Sequence, residues 1–112
     1  MRRGEVWWTD FGRPFGSEPG YLRPALVMQA DSFNKSKLAT VLVVPLSRNL
    51  ELAAAPGNVL CRPRDTGLPK PSVANVSQLT VADRRRLVEK AGSLPGVLLE
   101  EVENGLRLVL GL

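Results

Sequence analysis

Three polar residues fall where the chemistry of a phosphate ester would need them. Arg23 precedes the unbroken run Pro24-Ala25-Leu26-Val27-Met28, Ser47 follows the run Ala39 to Leu46, and Glu18 lies in the Gly/Pro-rich stretch between Gly12 and Tyr21. A fixed guanidinium can grip non-bridging phosphate oxygens bidentately and stabilise the charge that builds on a pentacoordinate phosphorus. A serine hydroxyl can orient the same group by hydrogen bonding. Glu18 could hold Arg23 in one rotamer or accept a proton. RNA supplies its own nucleophile in the 2′-OH, so such a set needs neither a metal nor a covalent intermediate. Arginine itself is a poor proton acceptor, its pKa being so high. The plain alternative is a strand-end arginine whose charge is met by Glu18.

The elements around these residues determine whether they can meet. Arg23 to Ala30 and Ala39 to Leu46 read as the second and third strands, the latter so apolar and β-branched that both of its faces should be buried. Pro24 fixes its own φ and pushes Arg23 toward an extended backbone, which stiffens the strand mouth. If the two strands pair antiparallel, the start of one lies beside the end of the other, and Arg23 becomes a neighbour of Ser47. A slip of one residue would turn one of them to the wrong face. Gly12 to Tyr21, punctuated by Gly12, Pro14, Gly16, Pro19 and Gly20, is a loop over this sheet end.

The remaining chain supplies a small sheet and one helix. Glu5 to Phe11 is a first strand, with both tryptophans read as core. Asp31 to Ser36 is a turn or one short helical turn, and Arg48 to Pro56 a mobile connection. Asn58 to Arg62 and Ser72 to Val76 are the fourth and fifth strands, Val81 to Arg84 is a short helical segment, and Leu87 to Ala91 is a small sixth strand. Gly67-Leu68-Pro69-Lys70-Pro71 is a turn, since it lacks the Gly-Lys-Ser/Thr end of a P-loop. Arg84-Arg85-Arg86 reads as solvated surface. From Pro95 to Leu110, Leu98, Val102, Leu106 and Val109, with Leu99 and Leu110 alongside, form an apolar stripe at helical spacing, a core or dimer seam. Many short strands with one terminal helix indicate an α+β domain built on a small SH3-like β-barrel.

Composition narrows the possibilities. The chain has 112 residues, enough for one domain, spanning 1–112. There is no histidine and one cysteine, Cys61, so imidazole catalysis, a zinc site and an internal disulfide are excluded, and no cofactor is expected. The net charge of +4 is spread evenly, with seven basic residues in 1–56 and eight in 57–112, which suits a negatively charged partner. The longest apolar stretch is too short to span a membrane and the N-terminus leads into a strand, so the expected location is cytoplasmic with no membrane contact.

Taken in order, Arg3-Gly4-Glu5-Val6-Trp7, Gly16-Ser17-Glu18, Arg23-Pro24-Ala25-Leu26-Val27, Val43-Val44-Pro45-Leu46-Ser47, Pro56-Gly57-Asn58-Val59, Gly67-Leu68-Pro69-Lys70, Ser72-Val73-Ala74 and the ending Leu106 to Leu112 closely resemble the MazF/PemK toxin endoribonucleases of bacterial toxin–antitoxin modules. The resemblance covers nearly the whole chain. It implies a CcdB/MazF-type barrel and a homodimeric, metal-independent nuclease that cuts single-stranded RNA at short motifs, leaving a 2′,3′-cyclic phosphate and a 5′-OH. The family's essential arginine falls on Arg23, its hydroxyl on Ser47, where many members carry threonine, and an acidic position of some members on Glu18. Ser17, Tyr21 and Gln78 are the expected substrate contacts. Ser77 stands where members often have aspartate. The implied partner, besides RNA, is an antitoxin whose disordered acidic C-terminal part folds onto the dimer.

Two other readings stay open on the sequence alone. CcdB-like toxins share the barrel and poison DNA gyrase without catalysis, although they end in a tryptophan-containing tail and this chain ends Leu110-Gly111-Leu112. A barrel that merely binds RNA or an acidic peptide would have to stack bases on Tyr21, Phe15 or Phe33.

Overall fold

The computed structural model describes all 112 residues. Seven strands, β1 (Glu5–Asp10), β2 (Leu22–Val27), β3 (Thr40–Ser47), β4 (Val59–Cys61), β5 (Ser72–Ala74), β6 (Thr80–Asp83) and β7 (Leu87–Ser93), join one antiparallel sheet in the order β4-β5-β3-β2-β1-β7, with β6 also on β3. Three helices punctuate it: the single turns α1 (Asp31–Asn34) and α2 (Pro63–Thr66), and the long α3 (Gly96–Leu110). The sheet curls into a half-barrel with α3 at its side, the α+β architecture expected.

β3 organises the sheet because both of its edges are occupied. One carries β2; the other carries β6 against residues 40–43 and β5 against Leu46 and Ser47. Val41, Val43, Val44, Pro45 and Leu46 are correspondingly buried, with Leu42 the exposed exception. A core of Val6, Leu26, Val44, Leu46, Val59, Ala74, Val76 and Val102 joins the sheet to α3, while Ala25, Val27, Val41, Val43 and Ala82 form a second cluster beneath Trp7, Phe11 and Leu87. Cys61 sits in the first core, where burial pushes its thiol up to about 11, as suits a small apolar residue.

α3 approaches β4 closely. Gly105 is buried, and a Cβ there would lie 2.1 Å from the Gly57 carbonyl oxygen, so backbone meets backbone. The apolar stripe packs through Leu98, Leu99, Val102 and Leu106, but Val109 and Leu110, expected in the same stripe, are exposed along with Leu108 and Leu112. No helix is long and apolar enough to cross a membrane.

Five local expectations are corrected. Val81 to Asp83 is strand, not helix, because β3 offers a free edge along residues 40–43 and Thr80 and Val81 are good strand formers. The strand after it is longer than expected, reaching Ser93 against β1. Arg48 to Pro56 contains a 3₁₀ turn at Leu50–Ala54, capped by the Asn49 side chain, which accepts from Glu51 N at 3.2 Å. Pro63 opens the one-turn α2, which Gly67 closes in the left-handed conformation at φ 77°. The arginine triplet is more than a solvated face: Arg84 donates to the carbonyls of Leu38, Asn34 and Phe33 and so clasps the β2–β3 connection, and Arg86 donates to Asp10 O at 2.9 Å. Arg85 alone keeps the surface role, paired with Asp83.

Glu5 ties the first strand to its surroundings. Its carboxylate accepts from Arg2 N at 2.7 Å and Trp7 Nε1 at 3.0 Å and pairs with Lys90 at 2.9 Å. Burial by itself would raise its pKa, but these partners outweigh burial and hold it below the ordinary 4.5. A carboxyl depressed in the folded state adds stability above its unfolded pKa and loses it as pH falls through the folded value. Urea midpoints measured from about pH 6 down to about pH 3 should therefore fall, and Glu5→Gln should flatten that slope. An unchanged slope would place the acid sensitivity elsewhere.

Candidate active site

The β2–β3 register aligns Ala25 with Pro45, Leu26 with Val44 and Val27 with Val43. Continuing it two residues outward sets Arg23 opposite Ser47, and β5 joins on the far side with Val73 opposite Ser47. Here the ends of three strands open onto a concave cavity of about 480 Å³ that Arg23, Ser47 and Ser72 all line. Its chemistry is one-sided. Three cations, Arg23, Arg48 and Lys70, two hydroxyls, Ser47 and Ser72, and the Asn49 amide line it among Trp8, Leu22, Pro24, Leu46 and Leu68, with no carboxylate. Such a lining attracts an anion and offers hydrogen-bond donors to it.

Arg23 is held by its backbone and left free at its tip. Its main chain pairs with Thr9 of β1, and Pro24 behind it is buried. The guanidinium forms no ion pair, and Nε is buried without a hydrogen-bond partner in the protein. Buried donors are almost always satisfied, so an unpaired one on a side chain that lines a cavity favours an acceptor brought in beside it. Ser47 Oγ accepts from Asn49 N at 3.1 Å, which fixes the hydroxyl while leaving its proton to donate.

Glu18 does not meet Arg23. Its carboxylate accepts from Phe15 N at 3.0 Å inside the β1–β2 loop, so neither the ion pair nor the rotamer-holding role expected of it is formed. Ser17, Tyr21 and Gln78 also lie outside the cavity lining. Two of them meet each other instead: Gln78 Nε2 donates to Ser17 O at 2.9 Å and ties the loop to the 3₁₀ turn Val76–Gln78. Tyr21 is exposed and adopts φ 59°, a left-handed conformation uncommon outside glycine. Its backbone closes the loop base, with Tyr21 N bonded to Gly12 O and Phe11 N to Tyr21 O.

Besides the aliphatic residues and prolines, five lining residues carry no functional expectation from the sequence. Trp8 was read as core, yet it is half-buried with one side on the cavity. In the sequence Arg48 and Asn49 belong to a connection, Lys70 to a turn and Ser72 to a strand, and the fold brings all four to the cavity. Ser72 is 1% exposed and its Oγ, like Arg23 Nε, has no partner in the protein. The available signal for Lys70 was a cation directly before a proline at a strand mouth, the same pattern that singled out Arg23.

Comparison with known proteins agrees with this fold. Residues 2–110 match the model of the PemK-like, MazF-like toxins of type II toxin–antitoxin systems. Endoribonuclease MazF2 of Mycobacterium bovis is 44% identical over 112 residues, spanning all of this chain and 98% of the relative, and endoribonuclease MazF6 of Mycobacterium tuberculosis matches to the same extent. The crystal structure of MazF from Deinococcus radiodurans superimposes with a TM-score of 0.83 at 25% identity, covering 100% of this chain and 97% of the other. With a family match across almost its full length and relatives this similar end to end, the chain belongs to the PemK/MazF toxin family.

Proposed function

We propose that this protein is an endoribonuclease toxin that cuts single-stranded RNA at a short sequence motif through attack of the 2′-OH, and that a cognate antitoxin neutralises it. The observation that carries this reading is Arg23, whose guanidinium has no partner and opens with Ser47 onto a cation-lined cavity free of carboxylates. In the reaction the 2′-oxygen forms a bond to phosphorus and the bond from phosphorus to the 5′-oxygen breaks. The proton lost by the 2′-OH ends, in net, on that 5′-oxygen, giving a 2′,3′-cyclic phosphate and a 5′-OH. Arg23 holds the non-bridging oxygens as charge accumulates on them, and Ser47 Oγ–H orients the phosphate. The protein acts without a divalent ion, in the cytoplasm, as a homodimer. The exposed Leu108, Val109, Leu110 and Leu112 give apolar surface for such a partner. The net charge of +4 and the cationic lining suit an acidic antitoxin segment as well as RNA.

Incubation of the purified protein with a long single-stranded RNA in excess EDTA, followed by mapping of 5′ ends, tests this. Discrete cuts at one recurring motif support it. Intact RNA beside a folded protein overturns it and makes gyrase inhibition the next assay. Ser47 supplies a graded check under single-turnover conditions: Ser47→Ala should slow cleavage about 10²-fold and Ser47→Thr should keep most of the rate. Equal rates for the two variants would mean that the hydroxyl is idle.

A further inference from the structure

Lys70 and Arg23 are presented to the cavity by the same device. Each is a cation placed directly before a proline at the mouth of a strand: Arg23-Pro24 within β2 and Lys70-Pro71 ahead of β5. A following proline removes the helical region from both backbones, so each side chain leaves an extended, stiffened main chain. The turn that carries Lys70 is anchored beyond that. Leu68 is buried in the main core, and Gly67 is left-handed with its N–H bonded to Pro63 O at 2.8 Å. A Cβ on Gly67 would lie 2.1 Å from Ala91 O, and one on Gly92 would lie 2.5 Å from Thr66 O, so the turn's backbone is pressed onto β7 with no room for side chains. The ammonium at the tip is exposed and has neither an ion pair nor a hydrogen bond, and no lining carboxylate is available to neutralise it.

We propose that Lys70 holds a backbone phosphate neighbouring the scissile one, so that Arg23 and Lys70 together fix two phosphates of the RNA across the cavity. This rests on the ribonuclease reading. The two cations divide the task according to their chemistry. Arg23 offers the planar fork that suits a phosphate changing geometry, whereas an ammonium is a point charge that binds a spectator phosphate from many directions. A phosphate contact carries no base information, so Lys70 sets where the strand lies and leaves the choice of sequence to other groups. Lys70 is thus a positioning residue. It accepts and transfers no proton, and the bonds made and broken are unchanged.

The test separates position from net charge by comparing Lys70→Gln with Arg64→Gln, a substitution at an exposed arginine on α2 that is absent from the cavity lining. Binding of a fluorescein-labelled oligodeoxythymidylate, which has phosphates but no 2′-OH, is followed by anisotropy over a range of salt. Lys70→Gln should reduce the log–log salt slope by about 0.7, the value of one phosphate contact on a single strand, and Arg64→Gln should leave it unchanged. On cleavable RNA, Lys70→Gln should raise KM about 10-fold with kcat within about 2-fold, and Lys70→Arg should restore KM. An unchanged slope and KM in Lys70→Gln, or equal losses in both Gln variants, would overturn the proposal while cleavage by the wild type still stood. Wild-type protein that cuts no RNA yet loses slope on Lys70→Gln would support the phosphate contact and overturn the ribonuclease reading.

Discussion

Arg23→Ala should reduce the single-turnover cleavage rate by about 10³-fold or more, with a melting temperature equal to or above that of the wild type. The two halves of this expectation share one cause. The guanidinium makes no ion pair, and its Nε is buried with no partner, so truncation removes no hydrogen bond or ion pair and relieves a donor that folding leaves unsatisfied. What it removes is charge facing the cavity, where it matters when the phosphate accumulates negative charge. Arg23→Lys should recover a small part of the rate, since an ammonium restores the charge but not the fork. Thermal melts and rapid-quench cleavage on the same preparations decide it. Wild-type-like turnover in Arg23→Ala would remove the residue from the chemistry, and a large drop in melting temperature would make its role structural.

Gly105→Ala should destabilise the fold by about 2–3 kcal/mol, roughly 10–15 °C in Tm for a domain of this size. Helix propensity taken alone gives the opposite sign, because replacing an interior helical glycine by alanine ordinarily gains about 0.5–1 kcal/mol. Packing reverses it. The new methyl would stand 2.1 Å from Gly57 O and 2.9 Å from Gly57 C, and these are backbone atoms that cannot swing aside as a side-chain end would. Gly57 itself is held at φ 84°, so the turn before β4 has little freedom to retreat. Asn104→Ala, one residue earlier and exposed, is the matching control and should raise stability slightly. Urea denaturation of the pair measures both signs, and a Gly105→Ala protein as stable as the wild type would show that α3 does not approach β4 this closely.

The meeting of Arg23 and Ser47 was legible in the sequence because it depends on two strands joined by a short connection, and antiparallel pairing of such neighbours fixes which ends coincide. Lys70 and Ser72 were not legible as site residues, since their placement depends on β5 pairing with β3 across a gap that local pattern does not encode. Val81 was misread for the same reason: its strand forms on an edge of β3 some forty residues earlier. Trp8 belongs to a different class. An aromatic residue in an alternating strand is apolar enough for the core on either face, and the curl of the sheet decides that one side of it reaches the cavity. Glu18 shows the limit of proximity in sequence, because the four residues Pro19 to Leu22 separate it from Arg23 and its own loop supplies a nearer donor in Phe15 N–H.

The placement of α3 bears on how such a protein is made. Arg23, Ser47, Lys70 and Ser72 all precede it, yet Leu26, Val44 and Leu46, core neighbours of Arg23 and Ser47 along β2 and β3, share a core with Val102 of that last helix. A growing chain has therefore synthesised all four of these cavity-lining residues well before it can close the core beneath them. A chain interrupted before Gly96 lacks Val102 and leaves Leu26, Val44 and Leu46 without the helix that covers them, so the cavity walls are expected to take shape only with the final stretch of synthesis.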